Sequence, residues 1–115
     1  MSDIFSEALD RLSRVPGVRG ALIVETEAGV PVLDELAEGV EGGPLAALAA
    51  SLFRRTSRAS QTASFGNVRT LHLEAAGGHV VVANGGELLV VVVAEKNAQL
   101  GHVRLEAHRA AEALQ

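Results

Sequence analysis

The side chains best suited to metal or acid–base chemistry lie around a Gly-Gly turn. His72 and His79 flank this turn, and Glu74 lies two residues after His72, on the same face of a predicted strand. Imidazoles and carboxylates are ordinary zinc ligands, and some hairpin registers would bring these three together. The sequence does not fix the register, and a polar outer face of a hairpin is the commoner arrangement. We therefore predict neither a metal nor a cofactor.

Other arrangements that support catalysis are incomplete. His102 and Glu106 lie one helical turn apart, but no second histidine completes an H-E-x-x-H pattern, so we place them, with His108, on a polar helix surface. The sequence has no cysteine and no serine within a G-x-S-x-G elbow. No glycine-rich phosphate loop is present either. We expect no enzymatic activity from the chain's own side chains.

Three arginines form the most distinctive charged cluster. Arg54 and Arg58 are four residues apart on a predicted helix and share its outward face, with Arg55 at the edge of that face. The chain carries a formal net charge of −4, so this cluster is a local positive patch. Arginine combines charge with planar, bidentate pairing, which suits contact with an acidic protein partner. The alternative is an ordinary solvated helix face.

Length and composition limit the kinds of fold and the classes of protein to which these groups can belong. The sequence has 115 residues, 48% of them hydrophobic, and only three are aromatic. This length predicts one domain over residues 1–115. An acidic chain with one lysine and few aromatic residues is unsuited to nucleic acid. Its apolar runs are too short for membrane insertion, and its first residues do not resemble a signal peptide, so we expect a cytoplasmic protein.

The first half of the chain alternates between helix and strand patterns. Ser2 or Asp3 can cap a first helix, which Pro16-Gly17 ends. An apolar strand over residues 18–25 follows, and a short strand over residues 30–33 contains a proline that favours a sheet edge. Residues 34–43 are predicted to form an acidic loop.

A long helix is predicted from Pro44 to about Ser64. Its apolar and small residues recur at helical spacing, which predicts the stripe that packs on the sheet, with Phe53 on its flank. The stripe consists of Leu45, Leu48, Ala49, Leu52, Thr56, Ala59 and Ala63. Gly66-Asn67 is expected to close the helix.

Three strands and a helix complete the sequence. The strands are predicted over residues 68–74, 79–83 and 88–94, and the last is apolar throughout, so we place it at the centre of the sheet. Asn97 can cap a final helix with an apolar stripe at Leu100, Val103 and Ala107. The order is αββαβββα. It predicts a single α+β domain, with the long helix on one face of a five-stranded antiparallel sheet and the terminal helices on the other.

Two features of this arrangement point to a homodimer. One helix leaves part of its sheet face uncovered, and the strand over residues 68–74 forms a long edge that no proline protects. Pairing this edge with its twin across a two-fold axis would resolve both.

Two parts of the sequence carry distinctive segments. Near the beginning, residues 15–24 are VPGVRGALIV, followed by EAG at residues 27–29. Near the end, residues 85–93 are GGELLVVVV, and residues 97–104 are NAQLGHVR. In order and spacing, these segments resemble the Roadblock / dynein light chain family, in which an N-x-x-L-G-x-V/I-R/K helix start follows the last strand. This family includes the MglB-like bacterial regulators of Ras-like GTPases. The resemblance extends over essentially the whole chain.

The resemblance implies a homodimer with a ten-stranded sheet and paired middle helices, which bind a small Ras-like (MglA-like) GTPase without inserting an arginine finger. Arg54, Arg55 and Arg58 would then be candidate GTPase contacts. The interface candidates are Leu45, Leu48, Leu52, Phe53, Arg69, Leu71, His72 and Leu73. The sequence ends at Gln115, without the extension of MglB-like proteins, so binding is implied and activation of hydrolysis stays open. The alternative function is a structural or small-molecule-sensing subunit of a larger assembly.

Overall fold

The computed structural model describes residues 3–115, in which three helices and five strands follow the predicted αββαβββα order. The elements are α1 (Ile4–Ser13), β1 (Val18–Glu25), β2 (Pro31–Leu36), α2 (Gly42–Thr62), β3 (Thr70–Ala75), β4 (Gly78–Asn84), β5 (Leu88–Ala94) and α3 (Leu100–Ala113). Asp3 caps α1 by accepting a hydrogen bond from the Ser6 amide at 2.8 Å. The alternative cap, Ser2, lies outside the described residues.

The strands form one antiparallel sheet in the order β2-β1-β5-β4-β3. The predicted central position of β5 and the edge position of the proline-containing strand are both confirmed. Leu22 of β1 lies opposite Val91 of β5, and both side chains are fully buried. The second edge is β3, whose outer side has no strand partner within the described chain.

The helices cover the two faces as predicted. On one face, α1 and α3 pack against a core that includes Leu9, Leu12 and Val103. On the other face, α2 packs against β1, β2 and β5, with Phe53 as its largest buried side chain. Residues of β5 contribute to both cores in alternation, because successive side chains of a strand point to opposite faces.

Two boundaries around the acidic segment were predicted wrongly. Strand β2 continues to Leu36, where a loop was expected, because residues 33–36 pair with β1. Helix α2 begins at Gly42, so Pro44 is its third residue instead of its first. Proline is tolerated there because the amides of the first helical turn have no intrahelical acceptor.

The predicted buried stripe of α2 is correct at Ala49, and in part at Leu45, but wrong at most other positions. The residues that face the sheet are Ala46, Ala49, Ala50 and Phe53. Leu48 is 46% exposed, and Thr56, Ala59 and Ala63 are exposed as well. Alanines allow the helix to lie close to the sheet, so small side chains face inward and the larger leucines lie at its sides and outer surface.

Smaller corrections concern the second half of the chain. Helix α2 ends at Thr62, β3 starts at Thr70, and β4 extends to Asn84. The N-cap of α3 is Gln99 instead of Asn97, and no side chain there accepts a capping hydrogen bond. The predicted stripe of α3 is confirmed at Val103 and Ala107, which are fully buried, while Leu100 is partly buried.

Candidate functional site: the open face beside α2

The candidate site is the part of the sheet face that lies beside α2. Leu71 and Leu73 of β3 point to the α2 side, opposite Val82 and Val80 of β4, and both leucines are only partly buried. Leu48 presents an exposed apolar side chain on α2 itself. The β3 edge and its two partly covered leucines therefore lie on the sheet face on which α2 packs, and α2 exposes Leu48 on its own surface.

The remaining interface candidates occupy different environments. Leu45 is partly buried against the α2 core, Leu52 is partly buried, and Arg69 is exposed just before β3. Phe53 is only 5% exposed and belongs to the core of the single chain. Its side chain is therefore already covered without a second copy.

One of the three arginines holds the fold together, and the other two are exposed and unpaired within the described residues. The Arg54 side chain is partly buried, and its Nη1 donates a hydrogen bond to the Thr26 carbonyl at 2.8 Å. Thr26 lies in the β1–β2 turn, so this bond fastens α2 to that turn. Arg55 and Arg58 are exposed, and no acidic side chain of residues 3–115 forms an ion pair with either. The sequence pattern did not indicate this difference.

The histidines near the Gly-Gly turn contact each other. Glu74 lies directly opposite His79, and His72 Nε2 lies 2.9 Å from His79 Nδ1. His79 is buried, and its Nε2 lies 3.2 Å from the Lys96 carbonyl oxygen. A carbonyl only accepts, so the contact with Lys96 requires a proton on His79 Nε2. In the neutral imidazole, His79 Nδ1 is then the acceptor for His72. Within residues 3–115, no group of three or more His, Cys, Asp or Glu side chains is arranged to hold a metal ion.

The polar surface predicted for the last helix is correct only in part. His102 is exposed, but Glu106 is only 9% exposed. His108 is partly buried, and its Nε2 is in hydrogen-bond contact with Thr70 Oγ1 of β3. Glu106 and His108 thus face the protein. Sequence periodicity missed this because polar side chains seldom signal a helix's inner face.

A cleft of about 620 Å³ lies between the end of α3, the β4–β5 turn and the residues that precede β3. Its lining includes Arg69 and His108 together with Glu87 and Glu112. The cleft lining thus contains charged groups of both signs.

In the described part of the chain, no helix is long and apolar enough to cross a membrane.

Comparisons with solved structures agree with this architecture. The Roadblock/LC7 domain from Streptomyces avermitilis superimposes with a TM-score of 0.85, covering 98% of this chain and 95% of that one at 21% identity. An MglB structure with a tetrameric arrangement gives a TM-score of 0.84 and 26% identity, with coverages of 99% and 89%. The gliding protein MglB of Thermus thermophilus gives 0.83 and 24%, with coverages of 99% and 90%.

Sequence comparisons lead to the same family. The profile of the Roadblock/LC7 domain matches residues 4–94. The uncharacterized protein MJ1340 of Methanocaldococcus jannaschii is 24% identical over 109 residues, which is 95% of each chain.

Proposed function

Because the chain belongs to the Roadblock/LC7 domain family, we propose that it is a non-catalytic dimeric regulator that binds a small Ras-like GTPase. The observation that carries this proposal is the open face beside α2. There β3 has a free edge, its Leu71 and Leu73 are only partly covered, and α2 exposes Leu48. The likeness to MglB structures supports the assignment.

The dimer would form by antiparallel pairing of two β3 strands. This pairing would join two five-stranded sheets into one of ten strands and satisfy the outward amides and carbonyls of both edges. It would also place the two α2 helices side by side over the open part of the sheet face. Leu71, Leu73 and Leu48 would then become buried, which supplies the hydrophobic gain that a homodimer requires.

The GTPase would dock on the surface that the paired α2 helices form. Arg55 and Arg58 are exposed there and have no acidic partner among residues 3–115. A dimer presents this pair twice on one surface, which suits an acidic patch on the GTPase. Arg54 would act indirectly, by holding α2 against the β1–β2 turn. No side chain of the regulator needs to enter the chemistry of hydrolysis.

The dimer is tested by light scattering coupled to size exclusion at micromolar concentration. We expect wild-type protein at twice the chain mass and Leu73→Glu at the chain mass, because the substitution places charges at the two-fold interface. Leu33→Glu is the matched control, since Leu33 lies on the other edge strand and is 36% exposed. A monomeric wild type, or equal effects of the two substitutions, would contradict the dimer.

GTPase binding is tested with the MglA-like GTPase encoded nearest to this protein in its genome. We expect the wild-type dimer to form a complex and to change the rate of GTP hydrolysis. Arg55→Ala/Arg58→Ala should weaken the complex by at least about tenfold, because interfacial arginines are frequent energetic anchors. Absence of both complex and rate change would count against this function while leaving the dimer intact.

The cleft of about 620 Å³ keeps the small-molecule-sensing alternative open as a second proposal. Its size is within the range of about 300–1,000 Å³ that is typical of ligand pockets. Its lining is about equally polar and apolar, however, whereas such pockets are mostly apolar. A thermal-shift screen with metals, nucleotides and metabolites separates the two proposals. A ligand that stabilises the wild type but not Arg69→Ala would favour the sensor.

A further inference from the structure

A second positive surface lies on the opposite side of the sheet from α2. A shallow groove of about 390 Å³ runs between the C-terminal end of α1 and the middle of α3. Its lining consists of Arg11, Arg14, Val15, His102, Glu106 and Arg109. Arg11 lies in the last turn of α1 and Arg14 is its C-cap residue, where the helix dipole favours cations. None of these residues belongs to the open face beside α2.

One buried carboxylate, that of Glu106, lies in the lining of this groove. Glu106 Oε2 accepts a hydrogen bond from Arg109 Nη1 at 2.9 Å, while Glu106 Oε1 is buried without a hydrogen-bond partner in the described residues. A buried carboxylate oxygen without a partner costs free energy, so the arrangement is not explained by the stability of the isolated chain. It does hold Arg109 at the side of the groove.

The charges around Glu106 do not balance. Three guanidinium groups line the groove beside one carboxylate, so its lining carries two more positive charges than negative ones. Arg11 and Arg14 form no ion pair with any acidic side chain of residues 3–115. In a chain whose net charge is −4, this excess is local. An anionic partner would neutralise this excess positive charge.

We propose that this groove binds a short acidic peptide segment of a partner protein. Carboxylates of the segment would pair with Arg11 and Arg14, where arginine forms strong charge-assisted hydrogen bonds. Backbone amides of the same segment are donors, so the segment can lie beside Glu106, of which only 9% is exposed, without repulsion. A phosphate dianion lacks such donors and would be repelled by this carboxylate.

The overall charge of the protein favours a short segment over a large polyanion. A membrane surface or a nucleic acid would experience the net negative charge, which repels it. A short segment lies within about one Debye length, roughly 10 Å, of the two free guanidinium groups. The groove and α2 lie on opposite faces of the sheet, so occupation of one leaves the other accessible. The protein would then be able to hold two partners at once.

Fluorescence anisotropy with a labelled hexaglutamate peptide, acetylated and amidated, tests the proposal. We expect saturable binding to the wild type that weakens as the salt concentration rises. Arg11→Ala/Arg14→Ala should weaken this binding by about tenfold or more. Arg19→Ala/Arg104→Ala is the matched control, because both side chains are exposed, neither lines the groove and the change in charge is the same. This variant should bind like the wild type.

Three further measurements complete the test. Amide chemical shifts should change at the end of α1 and along α3 when the hexaglutamate peptide is added. Hexaglutamine of the same length should not bind, and neither inorganic phosphate nor phosphatidylserine vesicles should compete effectively. Equal losses in both double variants, shift changes confined to α2, or vesicle binding as tight as peptide binding would each overturn the proposal. Failure here would leave the GTPase proposal untouched, because the two surfaces carry different arginines.

Discussion

The two faces of the sheet are built from the same strands, but they are covered to different extents. On one face, α1 lies over β1 and β2, and α3 lies over β4 and β5. On the other face, α2 packs on β1, β2 and β5, so the β3 side remains partly open. Large side chains such as Leu9 and Leu12 fill the first layer, whereas α2 contributes mainly alanines and one phenylalanine.

This difference separates folding from association. The α1/α3 face is closed by the chain itself, and its surface feature is the charged groove around Glu106. The α2 face has a smaller core and leaves partly buried leucines beside a free strand edge. We expect substitutions on the closed face to change mainly the stability of the monomer. Substitutions at the open face should change mainly its association, with Phe53 as the exception.

The largest expected effect tests how α2 is held. Phe53→Ala removes the largest buried side chain of α2 and should lower the free energy of unfolding by about 3–5 kcal/mol. Urea denaturation provides the measurement. Leu105→Ala is the control, since Leu105 is 48% exposed on α3 and should cost less than about 0.5 kcal/mol. A loss below about 1 kcal/mol for Phe53→Ala would mean that the alanine contacts alone hold α2.

The next effect concerns the turn that positions β3. Gly78 has φ of +143°, and an added Cβ would lie 2.4 Å from the Ala94 carbonyl oxygen. Gly78→Ala should therefore destabilise the protein by about 1–3 kcal/mol. Gly77→Ala is the matched control, because nothing lies within 4 Å of its added Cβ. Equal thermal-unfolding midpoints for the two variants would contradict the strain assigned to Gly78.

A smaller effect of opposite sign is expected on the closed face. Glu106→Met removes a buried oxygen that has no hydrogen-bond partner, and Arg109, its ion-pair partner, is 59% exposed. We expect the free energy of unfolding to rise by about 1–2 kcal/mol. Glu112→Met, an exposed position on the same helix, should change it by less than about 0.5 kcal/mol. Destabilisation by Glu106→Met would imply that Oε1 has a partner in solution.

Element order, sheet layers and the central strand followed from the sequence because strong apolar patterns determine them. The outward position of Leu48 was not predicted. Leucines and alanines are both apolar, so the sequence pattern does not show which of the two faces the sheet. The packing distance between helix and sheet decides it. The burial of Glu106 and the anchoring of Arg54 by Thr26 also escaped prediction. Each depends on a contact between residues distant in sequence, which periodicity does not encode.

The last prediction compares the two edge strands directly. If β3 pairs with its twin, β3 amides that point away from β4 gain acceptors in the dimer, and their hydrogen exchange should slow about tenfold as protein concentration rises through the dimer dissociation constant. Outward amides of β2 should exchange at a rate independent of concentration. Leu73→Glu should abolish the slowing in β3 while leaving β2 unchanged. Concentration-dependent protection of β2 instead would place the interface at the opposite edge, and the open face beside α2 would then need another partner.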